Sequence, residues 1–147
     1  MKKLIPPFLF LICIIIMLAL RNLFVFKEII QEPFNYIGIV FLIFGFLMTV
    51  VVRKGFEKIN TEIHTFKVPG KLVSTGLFKY SRNPIYLGFT ISLFGLWVLL
   101  GTVLPIIGCL LFIVITNNYY IPFEERIMEQ TFGDEYKKYK SKVRKWI

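Results

Sequence analysis

The chain has 147 residues, 56% of them hydrophobic, with a mean hydropathy of +0.66 and a formal charge of +9. That length holds one domain at most, and the apolar fraction lies above the range of soluble globular domains. The charges are crowded between long uncharged stretches, so an anionic lipid surface explains their sign and location better than nucleic acid does.

The first stretch, Leu4–Leu20, is seventeen residues without a formal charge, preceded by Lys2 and Lys3. A cleaved signal peptide is the alternative reading. No small-x-small cleavage site follows, however, and Phe24, Val25 and Phe26 continue the apolar run past Arg21. A retained span over about 4–26 is therefore expected. Pro33–Val52 adds twenty uncharged residues and a second span over about 34–52.

The connection Arg53–Arg82 is thirty residues long, more than a plain turn needs. Its apolar anchors (Ile59, Ile63, Phe66, Leu72, Val73, Leu77, Phe78, Tyr80) argue against disorder, and Phe56–Ile63 is suited to a short interfacial helix. Pro69, Gly70 and Gly76 then set sharp backbone directions. Asn83–Phe123 follows, 41 residues without a charge. As one helix it would reach roughly 60 Å at 1.5 Å per residue, about twice the hydrocarbon thickness. It must fold back, and Gly101-Thr102 followed by Pro105 is the natural corner, giving a tight hairpin with spans near 85–100 and 103–122.

In the tail, Met128, Phe132, Tyr136, Tyr139 and Val143 fall at helical spacing, while Lys137, Lys138, Lys140 and Lys142 occupy other faces. The pattern suits a helix in the headgroup region, broken at Gly133; an amphipathic helix packed on protein is the alternative. The expected fold class is thus an all-α integral membrane protein, with about four transmembrane helices, a cytosolic connecting segment and a C-terminal interfacial helix, in a single membrane domain over 1–147.

Orientation follows from Lys and Arg beside the spans. The N-terminus carries two, the 53–82 segment seven and the tail seven, so sixteen of eighteen share one side of a four-span chain. The positive-inside rule makes that side cytosolic, with both termini there, in a multi-pass protein of the cell inner membrane type. Cys13 and Cys109 lie singly inside apolar spans and read as buried small residues. His64 has no neighbouring ligand cluster, so no metal site is expected.

Two features are not explained by insertion alone. In Lys79-Tyr80-Ser81-Arg82-Asn83-Pro84-Ile85-Tyr86-Leu87-Gly88, the proline sets Asn83 in extended backbone and suits the first turn of a helix. The start of that helix offers free N–H groups and partial positive charge to a carboxylate. Glu124-Glu125, just past Pro122, places two carboxylates at a bilayer boundary, which is costly unless they meet a cation or a ligand. The hairpin brings both features to one face. A pocket between them suits a zwitterionic or cationic cofactor with a carboxylate; the plainer reading is a helix cap and a solvated helix start.

The run Leu72-Val73-Ser74-Thr75-Gly76-Leu77-Phe78-Lys79-Tyr80-Ser81-Arg82-Asn83-Pro84-Ile85-Tyr86-Leu87-Gly88 resembles the signature of the isoprenylcysteine carboxyl methyltransferase and phospholipid methyltransferase family. Glu124-Glu125, then Phe132-Gly133-Asp134-Glu135-Tyr136, Tyr139 and Val143-Arg144, is similar to that family's second block. The resemblance covers about residues 68–147 and implies a methyltransferase using S-adenosyl-L-methionine at a cytosol-facing site, built by segments 68–88 and 119–140. Carried over residue by residue, it implies cofactor contacts at Lys71, Leu72, Val73, Phe78, Asn83, Pro84, Tyr86 and Glu124. No catalytic nucleophile is implied. A lipid-like or membrane-embedded acceptor would approach between helices, with Tyr119 and Tyr120 as candidate contacts.

The chain departs from the family pattern in two places. Asn83 stands where many members have histidine, and Asn117, Asn118, Tyr119 and Tyr120 offer no cation where the isoprenylcysteine enzymes carry an arginine for the substrate carboxylate. The second departure leads to the expectation of an amphiphile other than a prenylated cysteine, with a Lys or Arg from the 53–82 segment standing in for the arginine as the alternative. Two further readings stay open: a membrane lipid reductase using NADPH, and a non-catalytic membrane protein that keeps the fold.

Overall fold

A computed structural model describes residues 5–24, 27–58 and 70–147. Five helices carry the architecture: α1 (Pro6–Leu23), α2 (Ile37–Lys58), α3 (Pro84–Leu100), α4 (Ile106–Ile115) and α5 (Ile121–Lys142). Three helical stretches are long and apolar enough to cross a bilayer, namely Pro6–Leu23, Phe34–Gly55 and Ile106–Lys142, and Pro84–Leu100 is a shorter apolar helix. The chain is a multi-pass membrane protein, and all the regular structure among the described residues is helical. Its exposed apolar residues, such as Phe8, Ile15, Val40, Phe44, Leu47 and Val51, face what a bilayer would solvate.

The helix ends follow from local chemistry. Prolines occupy the first turns of α1 and α3, where a missing N–H costs nothing. Helix α3 stops at Gly101, whose φ of 69° is the left-handed conformation that a Cβ disfavours. The Gly101 carbonyl accepts from Ile29 N (2.8 Å) and Ile30 N (3.2 Å), and Arg21 Nε donates to Leu100 O at 3.1 Å. The first connection therefore seals the hairpin corner, and Arg21 satisfies a carbonyl at the end of α3.

Helices α2 and α3 pack antiparallel through small residues. A Cβ on Gly38 would strike Gly95 O and Leu99 N, and one on Gly45 would strike Gly88 O and Ser92. Such contact lets two backbones approach closely, and dispersion forces and weak polar contacts then hold them where no hydrophobic effect acts between helices. Ser92 Oγ adds a hydrogen bond to Leu42 O at 3.2 Å. On the other face of α3, Phe89 stacks on Phe10 (4.6 Å) and meets Phe112 edge-on (6.0 Å), within a core shared by Leu9, Cys13 and Met17 of α1 and Cys109 of α4. Both cysteines are free thiols in that core.

Two details depart from the expected segmentation. Helix α2 runs on past Val52 to Lys58, and the remainder of the expected interfacial helix at 56–63 lies outside the described residues. The fourth apolar stretch does not end before the tail. It continues through a wide π-turn, Thr116–Tyr120, into α5. Pro122 explains the wide turn, because it cannot donate to the carbonyl four residues back. Thr116 Oγ1, which donates to Phe112 O at 2.8 Å and Ile113 O at 3.1 Å, adds side-chain competition for the backbone. Gly133 (φ 51°, ψ −122°) breaks α5 into two pieces, as the sequence suggested.

Candidate functional site

The start of α3 and the start of α5 build one polar cluster. Tyr86 is buried, and its hydroxyl donates to Glu124 Oε1 at 2.9 Å. Its ring stacks on that of Tyr120, with centroids 6.3 Å apart. Tyr120 is buried at the end of the π-turn, whereas Tyr119 is 73% exposed. The two tyrosines expected to line an entrance therefore face different ways, because one residue along a helix is about a quarter of a turn. The π-turn is what directs Tyr120 at Tyr86.

The adjacent glutamates do different things. Glu125 lies 3.2 Å from Arg82 Nη2 and 2.9 Å from Lys140 Nζ, and Lys140 also reaches Glu129 at 2.7 Å. Arg82 and Glu125 are largely buried, with side chains 9% and 14% exposed. The boundary carboxylate thus meets the cations it needs, and the pair clamps the segment before α3 onto α5. Lys140 is held above its ordinary pKa by its bonds to Glu129 and Glu125, and Glu129 is held below its own by Lys140.

Asn83 does not cap α3: no side-chain cap bond is made at this helix start. Its N–H reaches Ser81 Oγ at 3.1 Å, and its amide Nδ2 donates to Lys145 O at 2.9 Å. Arg82 N donates to Arg144 O at 3.0 Å, and Ser81 Oγ to Lys145 O at 3.5 Å. The segment after α5 is therefore strapped across the start of α3, and Trp146 packs against the apolar core. Pro84 is buried beneath this strap.

The expected apolar stripe of the tail packs inward. Tyr139 donates to Phe78 O at 2.7 Å, and Tyr136 is buried beside it, with ring centroids 6.1 Å apart. Of the two readings of this helix, packing on protein describes both tyrosines. Burial, together with the neighbouring Tyr136, pushes the Tyr139 hydroxyl up to about 12. Tyr136 is raised further by burial and by the Glu125 charge. Both are neutral hydrogen-bonding groups at physiological pH.

The geometry thus brings Asn83, Pro84, Tyr86, Glu124 and Tyr120 together and ties Phe78 to the cluster through Tyr139. Leu72 and Val73 are half-buried and Lys71 is exposed, in chain without regular structure ahead of the turn Gly76–Lys79. Sequence reasoning missed the roles of Arg82, Lys140 and Lys145. Residues 117–120 carry no cation of their own, but a distant one reaches the first of them. Lys145 Nζ donates to Asn117 Oδ1, in the π-turn, at 3.3 Å. No local pattern signals a partner 28 residues away.

An all-helical membrane protein with a polar cluster where two spans meet their flanking segments defines a class, that of small multi-pass proteins with an interfacial site. Within that class the chain belongs to the phospholipid methyltransferase family, whose model matches residues 33–135. It is 40% identical over 63 residues to an uncharacterized protein of Haemophilus influenzae, covering 43% of this chain and 100% of that one. It is 31% identical over 129 residues to a probable protein-S-isoprenylcysteine O-methyltransferase of Oryza sativa subsp. indica, covering 84% of this chain and 66% of the relative. It is 37% identical over 78 residues to methanethiol S-methyltransferase 1 of Bradyrhizobium diazoefficiens, covering 51% and 25%. The chain thus spans two thirds or less of the length of the relatives whose names state an activity. No solved structure matches it.

Proposed function

We propose that this protein is a membrane methyltransferase that moves a methyl group from S-adenosyl-L-methionine to a lipid-like acceptor at the cytosolic face of the membrane. The observation that carries the reading is the Tyr86–Glu124 contact, because it joins the two blocks of the family resemblance at 2.9 Å. The relatives' names supply the reaction class.

The residues fit a zwitterionic sulfonium. Glu124 is a half-buried carboxylate held by a tyrosine hydroxyl, an arrangement that suits a cationic ammonium or sulfonium. The stacked rings of Tyr86 and Tyr120 offer π faces to a cation. Asn83 and Pro84, at the start of α3 beneath the strap, are assigned with Lys71, Leu72, Val73 and Phe78 to the remaining wall. When bound, S-adenosylmethionine supplies an electrophilic methyl group. The chain's own part is to orient the cofactor, to hold the acceptor in line and to exclude water. That work needs no covalent nucleophile.

Two experiments test the reading. Replacing Glu124 by Gln removes the charge and should weaken S-adenosylmethionine binding by roughly tenfold to a hundredfold, the value of about 1.5–3 kcal/mol for a charge-assisted contact. Glu125→Gln, whose carboxylate is spent on Arg82 and Lys140, should change binding far less. Calorimetry of purified protein with S-adenosylmethionine and, separately, NADPH measures both variants. Equal effects at the two positions defeat the assignment, and binding of NADPH alone replaces the methyltransferase by a reductase. Cysteine labelling at each terminus in whole cells tests orientation. Both ends should be protected from impermeant reagents added outside, and labelling of one end only means an odd number of spans.

A further inference from the structure

We infer that Lys145 is the recognition point for an anionic headgroup on the acceptor, a carboxylate or phosphate carried by an apolar chain. The inference rests on the methyltransferase reading for the word acceptor, but its evidence is separate.

Long basic side chains near a bilayer normally extend toward water. Lys145 does the opposite. Its backbone carbonyl is pinned at the start of α3 by Asn83 Nδ2, while its ammonium crosses to Asn117, a π-turn residue inside the uncharged stretch Asn83–Phe123. Asn117 lies seven residues before Glu124, or roughly 10 Å along a helix toward the middle of the span. The charge is thus carried to a residue of the apolar stretch, seven positions ahead of Glu124 in the chain.

Once there it is poorly served. Among the described residues Lys145 makes no ion pair, and its one side-chain partner is a neutral amide oxygen at 3.3 Å. An ammonium has three donors, so two remain for a ligand. A half-buried cation held against the apolar stretch is better compensated by an anion than by one amide. The Glu125 carboxylate is already committed to Arg82 and Lys140. Position then selects the ligand. A soluble cofactor enters from the aqueous side, whereas an amphiphile rising from the lipid meets Lys145 before it meets Glu124. The side chain is a specificity-determining group, positioned by the strap at residues 144–146.

The test uses the full chain in nanodiscs of phosphatidylcholine, saturated with S-adenosylmethionine, and two matched probe pairs. One pair is N-acetyl-S-farnesylcysteine and its carboxamide; the other is lysophosphatidic acid and monoacylglycerol. The wild type should bind at least one acid roughly tenfold or more tighter than its neutral partner, as a charge-assisted contact provides. Lys145→Gln should abolish that preference and Lys145→Arg should keep it. Both variants retain the backbone carbonyl that Asn83 holds, so cofactor affinity should stay within about twofold of wild type. A preference confined to the phosphate pair assigns a phosphate headgroup, and one confined to the farnesyl pair assigns a carboxylate-bearing acceptor. Equal binding of acid and neutral probes by the wild type overturns the inference, as does a preference that survives in Lys145→Gln. Loss of cofactor affinity in Lys145→Gln also overturns it, since the lysine then serves the cofactor. Absence of cofactor binding by the wild type, with a Lys145-dependent preference intact, removes the methyltransferase reading and leaves the anion site standing.

Discussion

Replacing Arg82 by methionine tests the clamp that holds α5 against the start of α3. Removing one partner of a buried ion pair generally costs about 3–5 kcal/mol, because the other charge is left without compensation. Here two features reduce that figure. Glu125 keeps Lys140 at 2.9 Å, although that lysine is 36% exposed and so better hydrated. Arg82 Nε and Nη1 are buried without a partner, so the native guanidinium itself carries an unmet desolvation cost. Arg82→Met should therefore destabilise by about 1.5–3 kcal/mol. In the double variant Arg82→Met/Glu125→Leu no charge is stranded, since Lys140 retains Glu129 at 2.7 Å. It should be less destabilised than Arg82→Met alone. Thermal and urea unfolding in detergent, followed by the fluorescence of Trp146 and Trp97, measures both. A wild-type midpoint for Arg82→Met would refute the reasoning, and so would a double variant no more stable than the single.

Gly95→Ala places a Cβ against the backbone of α2, where Leu42 N and Phe41 C leave no room, and should cost about 1–3 kcal/mol by forcing the helices apart. Gly55→Ala meets nothing within 4 Å and should be neutral or slightly stabilising in the same unfolding assay. Tyr139 is raised from 10.0 to about 12, so its contribution to stability is complete below pH 10 and is lost as pH rises through 12. The raised Lys140 loses its contribution in the same alkaline direction. Glu129, lowered from 4.5, contributes above that pH and loses its contribution as pH falls below it. Midpoint temperatures against pH should show a plateau between about 5 and 10 with a decline on either side. A tyrosinate absorbance titration should show at least one tyrosine ionising above the ordinary range, and unshifted titration of all seven would contradict the buried Tyr136–Tyr139 pair.

The sequence by itself determined the membrane class, the helical hairpin and the break at Gly133, and it marked the two blocks that come together. These are local properties. A run of uncharged residues either can or cannot sit in hydrocarbon, a proline cannot continue an interior helix, and a glycine relieves a positive φ without its neighbours' help. Only the tertiary structure decided which polar group meets which. Glu124 and Glu125 are adjacent and chemically identical, yet one faces Tyr86 and the other faces Arg82 and Lys140. Tyr119 and Tyr120 are adjacent too, yet one faces outward and the other stacks on Tyr86. Asn83 looked like a cap and instead holds Lys145, whose charge then reaches Asn117. The physical reason is common to all three. Side-chain direction turns by about 100° per residue on a helix, so partner choice rests on helix rotation and register, which follow from packing between elements far apart in sequence, among them the glycine contacts of α2 with α3.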